Sequence, residues 1–164
     1  MTELAHAVDC LHPSSFPHQG ISFKQPIRTY IKPFIINNSF CEFQKCLDIL
    51  NSFKNYKKNW DGNDSLPPNL KAIENCKELF KSIFNLTPQL NMEWVSPNIT
   101  ADSNGNIVLE WWEKNKKITL YAGPKYQTIE YIKSSNEKIH DMEDGKLENF
   151  TNGSYIPLFI WLYE

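Results

Sequence analysis

From residue 39 onward, the hydrophobic pattern of the chain changes its period near residue 92. Before that point apolar residues recur at spacings of three and four, as in helices with one buried face. After it, apolar and polar residues alternate in short runs bounded by turn residues, as in the strands of a half-buried sheet. Helices followed by consecutive strands are typical of an α+β domain. We therefore predict an antiparallel β-meander of three to four strands with a layer of two helices on one face.

The helical half contains two amphipathic segments. In the first, Ser39 and Glu42 have the spacing of a capping box, so we expect the helix to begin there. The second follows Pro68, a residue that suits a first helical turn. The short connection between them favours an antiparallel pair. The expected buried stripes are Phe43, Cys46, Leu47, Leu50 and Phe53 in the first helix and Ile73, Cys76, Leu79, Phe80 and Ile83 in the second.

The N-terminal residues have a different character. Residues 1–38 include Pro13, Pro17, Pro26 and Pro33, and prolines interrupt long helices. Residues 21–36 alternate apolar and polar side chains, which favours an extended arm on the surface. We predict an extended arm over residues 1–38 and a single α+β domain over residues 39–164.

Turn residues divide the second half of the chain. Asn104-Gly105 is a strong hairpin signal, because both positions tolerate positive φ, and a tight turn follows at Lys114-Asn115-Lys116. Residues 134–149 are polar, and we expect them to be mobile. The strongly apolar residues 154–164 predict either a short helix or a last strand, which covers the core or docks on a partner.

Composition limits the classes of partner and compartment. A net charge of −2, from 17 basic and 19 acidic residues, provides no overall field for holding nucleic acid. The four cysteines form no CxxC pair, which favours reduced thiols. The sequence has neither a long apolar stretch nor a signal-peptide pattern, so we expect a cytoplasmic protein without a membrane segment.

The stretch "NWDGNDSLPP", residues 59–68, has two interpretations. In the structural one, Asp61-Gly62 makes a turn, Asp64 or Ser65 caps the next helix, and the Trp60 indole is a wedge between the helices and the sheet. We favour it because it requires no convergence of distant groups. In the alternative, carboxylates from this loop and from the strands form a metal-dependent hydrolytic site. The candidate carboxylates for that site are Asp61, Asp64 and Glu110, with Glu93 available nearby.

No other segment predicts a cofactor or a metal. Residues 102–106, "DSNGN", resemble a calcium loop, but the glycine is fourth instead of sixth. Cys10, His12 and His18 lack the paired spacing of a structural zinc site. The chain contains no GxSxG, GxGxxG or Walker motif. We therefore predict neither a cofactor nor a metal.

The adjacent residues Trp111 and Trp112 must leave opposite faces of their strand. We assign Trp111 to the core, with Ile107 and Leu109. Trp112 then belongs to the other face, which two helices on one side leave open, unless the arm or the C-terminal segment covers it. Interface cores favour aromatic residues. The predicted partner-binding residues are Trp112, Tyr121, Val108 and Lys116.

Several motifs together resemble a group of small uncharacterised bacterial proteins. The matching residues are Asn59, Trp60, Asp61 and Gly62, then Ser96 and Pro97, and Gly105, Ile107, Leu109, Glu110 and Trp111. The resemblance spans about residues 40–132. It implies the same loop, helix and hairpin architecture and no particular activity. The chain departs from the group at Asn63-Asp64-Ser65, where a further glycine and a small residue are expected, and carries extra residues between Pro97 and Gly105.

The function that these observations predict is non-catalytic binding of a macromolecule through the aromatic face of the sheet. An accessory, inhibitor or immunity-type subunit of a bacterial or phage system fits, with a protein partner or a second copy as ligand. Two alternatives are the metal-dependent hydrolase and a nucleic-acid-binding accessory protein. The second alternative requires its basic residues to gather: Lys54, Lys57, Lys58, Lys116 and Lys117.

Overall fold

The computed structural model describes residues 28–89, 93–136 and 141–164, with side chains from residue 38 onward. Three helices and five strands make up these ranges, so the predicted α+β class is confirmed. The helices are α1 (Arg28–Ser52), which runs into a 3-10 turn at Phe53–Asn55, α2 (Leu70–Leu86) and α3 (Ile156–Tyr163). The strands are β1 (Asn98–Ala101), β2 (Ile107–Glu113), β3 (Lys116–Ala122), β4 (Thr128–Ser135) and β5 (Met142–Glu148).

The five strands form one antiparallel meander in the order β1-β2-β3-β4-β5. The prediction of a meander is confirmed, although the sheet has one strand more than the three to four expected. The additional strand, β5, comes from the polar segment that we expected to be mobile. Only Leu147 among its residues is buried, so the usual alternation of apolar residues is absent. Backbone pairing with β4 and the ion pairs Lys146–Glu130 and Lys133–Glu143, each 2.9 Å long, hold β5 in place.

The helices α1 and α2 pack as the antiparallel pair that the connection length predicts. Phe43 in α1 stacks on Phe84 near the end of α2, with ring centroids 4.4 Å apart. The Lys54 ammonium, just after α1, lies 3.2 Å from the Glu74 carboxylate near the start of α2. Every residue of the two predicted stripes is buried except Leu47, which packs partly buried against the same core.

The beginning of α1 differs from the prediction. Residues 1–27 of the predicted arm lie outside the described residues. Residues 28–38 form the first turns of α1, so their assignment to an extended arm is wrong. Pro33 removes a single backbone donor in the second turn, and a helix can continue across that loss when its other bonds remain. Ser39 is therefore inside the helix and cannot cap it, and Glu42 pairs instead with Lys45 at 2.7 Å.

The C-terminal residues form α3, which covers the protein's own core. Leu158, Phe159 and Leu162 are buried, and the Phe159 ring meets Trp111 edge-on at 5.1 Å. The choice between helix and strand is thereby settled in favour of the helix. Within the described part of the chain, no helix combines the length and hydropathy that crossing a bilayer requires.

Candidate functional site

The sheet has two faces with different surroundings. On the inner face, Ile107, Leu109 and Trp111 of β2 join the core beneath the helices. The Trp111 indole N–H donates to Val95 O at 2.9 Å, so its polar atom is satisfied. The opposite face, which we call the outer face, carries the alternate side chains of each strand. Its residues are Asn98 and Thr100 in β1, Val108, Glu110 and Trp112 in β2, Lys117, Thr119 and Tyr121 in β3, Thr128, Glu130, Ile132 and Ser134 in β4, and Met142, Asp144, Lys146 and Glu148 in β5.

One end of the outer face presents a large aromatic ring to solvent. The Trp112 side chain is 53% exposed. Across the strand pair, the Lys117 ammonium lies 4.8 Å from the centroid of the Trp112 ring and also pairs with the Glu110 carboxylate. A cation over a tryptophan ring is attracted by about 0.5–1 kcal/mol at an exposed site. The exposed Trp112 indole therefore lies within a regular strand and has a favourable contact with its cross-strand neighbour.

The four predicted partner-binding residues do not all share this face. Trp112 is exposed and Tyr121 is half-buried, as a binding surface requires, whereas Val108 is only 9% exposed. Lys116 lies on the inner side, where its ammonium donates to Trp161 O at 2.8 Å and sits 5.3 Å from the Trp161 ring centroid. Grouping Lys116 with Trp112 is wrong, because the partner of Trp112 in the register is Lys117. Successive residues of a strand alternate faces, so the lysine one residue later is the one that belongs.

The sequence patterns also missed part of the outer face. Met142 of β5 is 69% exposed and lies opposite Ser134 of β4. Ile132 of β4 is half-buried and lies diagonally to Met142, opposite Asp144. Met142 became visible only with the assignment of β5 as a strand. In the sequence, the only apolar residue of β5 on the inner face is Leu147, while Met142, Asp144 and Lys146 share the outer face. This alternation was a weak signal of a strand.

The loop of residues 59–68 folds back on itself. Asn59 N–H donates to Ser65 O at 2.8 Å, and the Trp60 indole N–H donates to Leu66 O at 3.0 Å. The Trp60 ring is half-buried, packs on Tyr56 at 5.1 Å and is not part of the core cluster. The indole therefore closes its own loop and is not the expected wedge between the helices and the sheet.

The Asp61 carboxylate accepts hydrogen bonds from donors inside the same loop. It accepts a hydrogen bond from Asn63 N–H at 3.0 Å and another from the Ser65 hydroxyl at 2.7 Å. These bonds, the one from the Asn63 backbone first, lower the pKa of Asp61 from its ordinary value. A carboxylate stabilised in this way is a weak general base, and its oxygens are engaged in holding the turn.

The end of the loop is attached to the β1–β2 turn. Leu66 N–H donates to Ser103 O at 2.9 Å and Asn69 N–H to Gly105 O at 2.8 Å. Gly105 has φ +79°, and a Cβ at that position would lie 2.5 Å from Pro67 O. The glycine of the Asn-Gly pair thus permits both the turn and the close approach of the loop.

The cap of α2 is Asn69, whose side chain accepts from Lys71 N–H at 2.9 Å. Asp64 and Ser65, the two expected caps, have other roles. Asp64 pairs with Lys58 at 3.3 Å, and the Ser65 hydroxyl donates to Asp61. The expected caps were wrong because Asp64 and Ser65 lie six and five residues before Leu70, where the helix begins, and only the residue directly before it can cap it.

The carboxylates of the hydrolase alternative are engaged at separate places. Asp61 and Asp64 have the loop partners described above. Glu110 lies on the sheet, where it pairs with Lys117 and accepts from the Asn98 amide at 3.3 Å. Among the described residues, no group of three histidine, cysteine, aspartate or glutamate side chains is arranged to hold a metal ion. Cys10, His12 and His18, the other metal candidates, lie outside the described residues.

The lysines of the nucleic-acid alternative are also distributed. Lys54 and Lys58 lie near the loop of residues 59–68 and pair with Glu74 and Asp64. Lys116 and Lys117 lie at the opposite end of β2 and β3, and on opposite faces of the sheet. A seven-residue strand is about 20 Å long, so the two pairs of lysines do not form one basic patch.

The cysteines do not all carry free thiols. Cys46 and Cys76 are free and buried, whereas Cys41 is disulfide-bonded. The expectation of reduced thiols is therefore wrong for Cys41. Burial raises the pKa of Cys76 well above its ordinary value, so this thiol is not a nucleophile in the folded protein.

A small apolar depression, with a cavity volume of about 20 Å³, lies between the end of α2 and α3. Ile83, Leu86, Val95 and Phe159 contribute to its walls, and Glu93 lies at its border. Residues 90–92 lie outside the described residues. The depression consequently supports no assignment of a ligand.

Comparison with models of protein families, with curated proteins and with solved structures found no significant match to this chain. The resemblance to the group of small bacterial proteins stays a prediction that rests on the quoted motif residues.

Proposed function

We propose that the protein is a non-catalytic binding protein whose outer face docks on another protein. The observation that supports this most is Trp112, a half-exposed tryptophan within strand β2 on a sheet face that no described helix covers. Tryptophan is the residue type most enriched among the energetically dominant contacts of protein interfaces. Met142 and Ile132 extend the apolar part of the surface beyond the Trp112 end.

The charges of the outer face suit a protein better than a polyanion. Lys117 is paired with Glu110 and Lys146 with Glu130. Asp144 and Glu148 add negative charge at the β5 side. A nucleic acid would have to approach this acidic side, where phosphates are repelled. The favoured partner is a protein that offers an apolar pocket for Trp112 and basic groups opposite β5.

The type of system follows from the predicted binding role. A small domain with an exposed aromatic anchor suits an accessory, inhibitor or immunity-type subunit in a bacterial or phage system. A cytoplasmic location belongs to this proposal, whereas a disulfide at Cys41 is typical of oxidising compartments. Thiol trapping in intact cells tests the location: a reduced Cys41 supports the cytoplasm, and an oxidised Cys41 contradicts it.

The test is quantitative capture from native lysate with three immobilised proteins: the wild type, Trp112→Ala and Tyr126→Ala. Tyr126 is 67% exposed but lies in the β3–β4 turn, outside the outer face, so it is a matched control for loss of an exposed aromatic ring. We expect a retained protein whose recovery falls at least about tenfold with Trp112→Ala and is unchanged with Tyr126→Ala.

The retained protein is then purified and titrated against the same three variants by calorimetry. Two outcomes would refute docking through the outer face: an equal loss of affinity in both variants, or recovery of the partner that is the same for Trp112→Ala and the wild type. Retention of RNA or DNA that disappears with nuclease or moderate salt would favour the nucleic-acid alternative instead.

A further inference from the structure

The β5 strand has a free edge whose geometry can be worked out residue by residue. Ser135 N–H donates to Asp141 O just before the strand, and Asn149 N–H donates to Gln127 O just after it. Antiparallel pairing alternates residues that bond to the neighbour with residues that do not. The odd-numbered residues of β5 therefore bond to β4. The backbone N–H and C=O groups that point away from the sheet belong to Met142, Asp144, Lys146 and Glu148.

This edge lacks the usual features that prevent pairing with another strand. Its register with β4 is continuous over seven residues, without a bulge or a proline. An edge lysine often protects such a strand, but Lys146 is drawn back to Glu130 at 2.9 Å. The other edge strand, β1, has only four residues and follows Pro97. Among the described strands, none pairs with the free edge of β5.

The side chains along the edge are complementary to themselves. In an antiparallel pair of β5 strands with Gly145 at the two-fold axis, Asp144 lies opposite Lys146 of the second copy, and this contact occurs twice. Met142 lies opposite Glu148, also twice. A shift by two residues in one direction places Asp144 opposite Asp144, and in the other direction Lys146 opposite Lys146. Opposite charges across a strand pair are favourable and like charges unfavourable, so the charges select the first register.

The inner side of the edge leaves room for a second copy. The Glu143 side chain is 58% exposed, which shows that the helical layer does not extend over this part of β5. Gly145 has no side chain, and the Tyr131 ring lies above it within its own copy. The two glycines at the axis can therefore approach closely, as residues that are opposite without hydrogen bonds do.

We propose that two copies of this chain associate through their β5 edges, with Gly145 at the axis and about eight backbone hydrogen bonds between the strands. The sheet then continues across both copies, with both outer faces on the same side. This association does not depend on the proposed binding of another protein. A strand-edge contact buries less surface than a standard interface, so the dimer is expected to be weak, with a Kd of about 10–100 µM.

The first test is sedimentation velocity of the full chain between about 5 and 500 µM, a range that brackets this affinity. We expect a reversible monomer–dimer equilibrium. Asp144→Lys places like charges opposite each other twice and should weaken the dimer about 10- to 100-fold. The double variant Asp144→Lys/Lys146→Asp restores opposite charges and should recover most of that loss. Asp48→Lys, with the same charge change on exposed α1, is the matched control and should leave the equilibrium unchanged.

The second test does not require a variant. Amide hydrogen exchange of the wild type is compared at low and high protein concentration. The amides of Met142, Asp144, Lys146 and Glu148 should become at least about tenfold more protected at high concentration, because only in the dimer do they donate to a carbonyl. The amides of the alternate residues Glu143, Gly145 and Leu147 are protected at both concentrations by their bonds to β4.

Three outcomes would overturn the proposal. They are a monomer throughout the concentration range, a dimer that Asp144→Lys does not weaken, and concentration-dependent protection that spares the four outward amides. Circular dichroism of each variant separates loss of association from loss of fold.

Discussion

Asn75 is the buried polar residue whose replacement tests the packing of α2 on the sheet most directly. It lies in the second turn of α2 and is 3% exposed. Its side-chain amide donates to Gly123 O at 2.9 Å and to Lys125 O at 2.8 Å. Both carbonyls belong to the turn between β3 and β4. One side chain therefore attaches this turn to the helical layer.

The Asn75→Ala substitution removes both donors and leaves the two carbonyls with poorer partners. Gly123 O loses the described side-chain donor, and Lys125 O keeps a 3.4 Å contact from Thr128 N–H. A buried group left unsatisfied costs about 1–3 kcal/mol. Alanine regains about 0.5 kcal/mol of helix propensity. One carbonyl loses this donor fully and the other in part, so we expect the free energy of unfolding to fall by about 1–4 kcal/mol.

The Asn75→Asp substitution adds a dependence on pH. An ionised carboxylate cannot donate to the two carbonyls and is repelled by them, so folding disfavours the charged form and raises the pKa of the new aspartate above the unfolded value of about 3.9. The stability contributed by the neutral acid is then present below about pH 4 and is lost as the pH rises through the folded pKa. The neutral acid has one O–H and can donate to only one of the two carbonyls, so relative to the wild type the variant should be moderately destabilised at pH 3.5 and much more strongly destabilised at pH 7.

Urea unfolding followed by tryptophan fluorescence at both pH values measures these effects. Asn85→Ala, an exposed asparagine on the same helix, is the matched control and should change stability by less than about 0.5 kcal/mol. Two results would refute the reasoning. They are a loss in Asn75→Ala no larger than that of the control, and a deficit in Asn75→Asp that is the same at both pH values.

Three further predictions follow from the loop and the sheet. Gly62 and Gly105 share a φ of +79°, but only Gly105 lacks space for a Cβ; thermal unfolding should show Gly62→Ala losing about 1 kcal/mol and Gly105→Ala at least about 2 kcal/mol more, and equal losses would contradict the close approach to Pro67. Because its loop bonds lower the pKa of Asp61, the stability that this carboxylate contributes is present above its unfolded pKa and lost as the pH falls through the folded one. The deficit of Asp61→Ala in urea midpoints should therefore be larger at pH 7 than at pH 3, and a deficit independent of pH would count against this role. Trp111→Ala should lower the free energy of unfolding by about 3–5 kcal/mol in denaturant titrations, whereas Trp112→Ala should change it by less than about 1 kcal/mol; similar losses would mean that the two indoles do not face opposite sides.

Local periodicity predicted the elements whose burial repeats regularly. The stripes from Phe43 to Phe53 and from Ile73 to Ile83 were correct because each residue in them packs into one core. In β2 and β3 the alternation separates Trp111 from Trp112 without further information. These parts of the fold are determined by residues close together in the sequence. A spacing of three or four between buried residues is sufficient to predict the helices, and a spacing of two the strands.

The predictions failed where contacts between residues far apart in the sequence determine the structure. β5 has one buried apolar side chain, Leu147, so its sequence lacks the alternation of apolar residues that predicts a strand. Its position depends on backbone pairing with β4. Ser39 and Glu42 have capping-box spacing, but the spacing alone cannot tell that the helix already began at Arg28. The Trp60 loop was assigned correctly to a turn and incorrectly to the core, because its attachment to Ser103 and Gly105 lies about 40 residues away in sequence.

The outer face and the β5 edge share one surface, so the two proposals constrain each other. Trp112 lies in β2, and the strands β3 and β4 separate it from β5. Trp112→Ala should therefore leave self-association unchanged, whereas Asp144→Lys should weaken both the dimer and the capture of a partner that places basic groups opposite β5. If the partner contacts both copies, its recovery should in addition rise with the concentration of the protein over the range in which the dimer forms. A binding surface confined to one copy would then be wrong, although the edge pairing itself would stand.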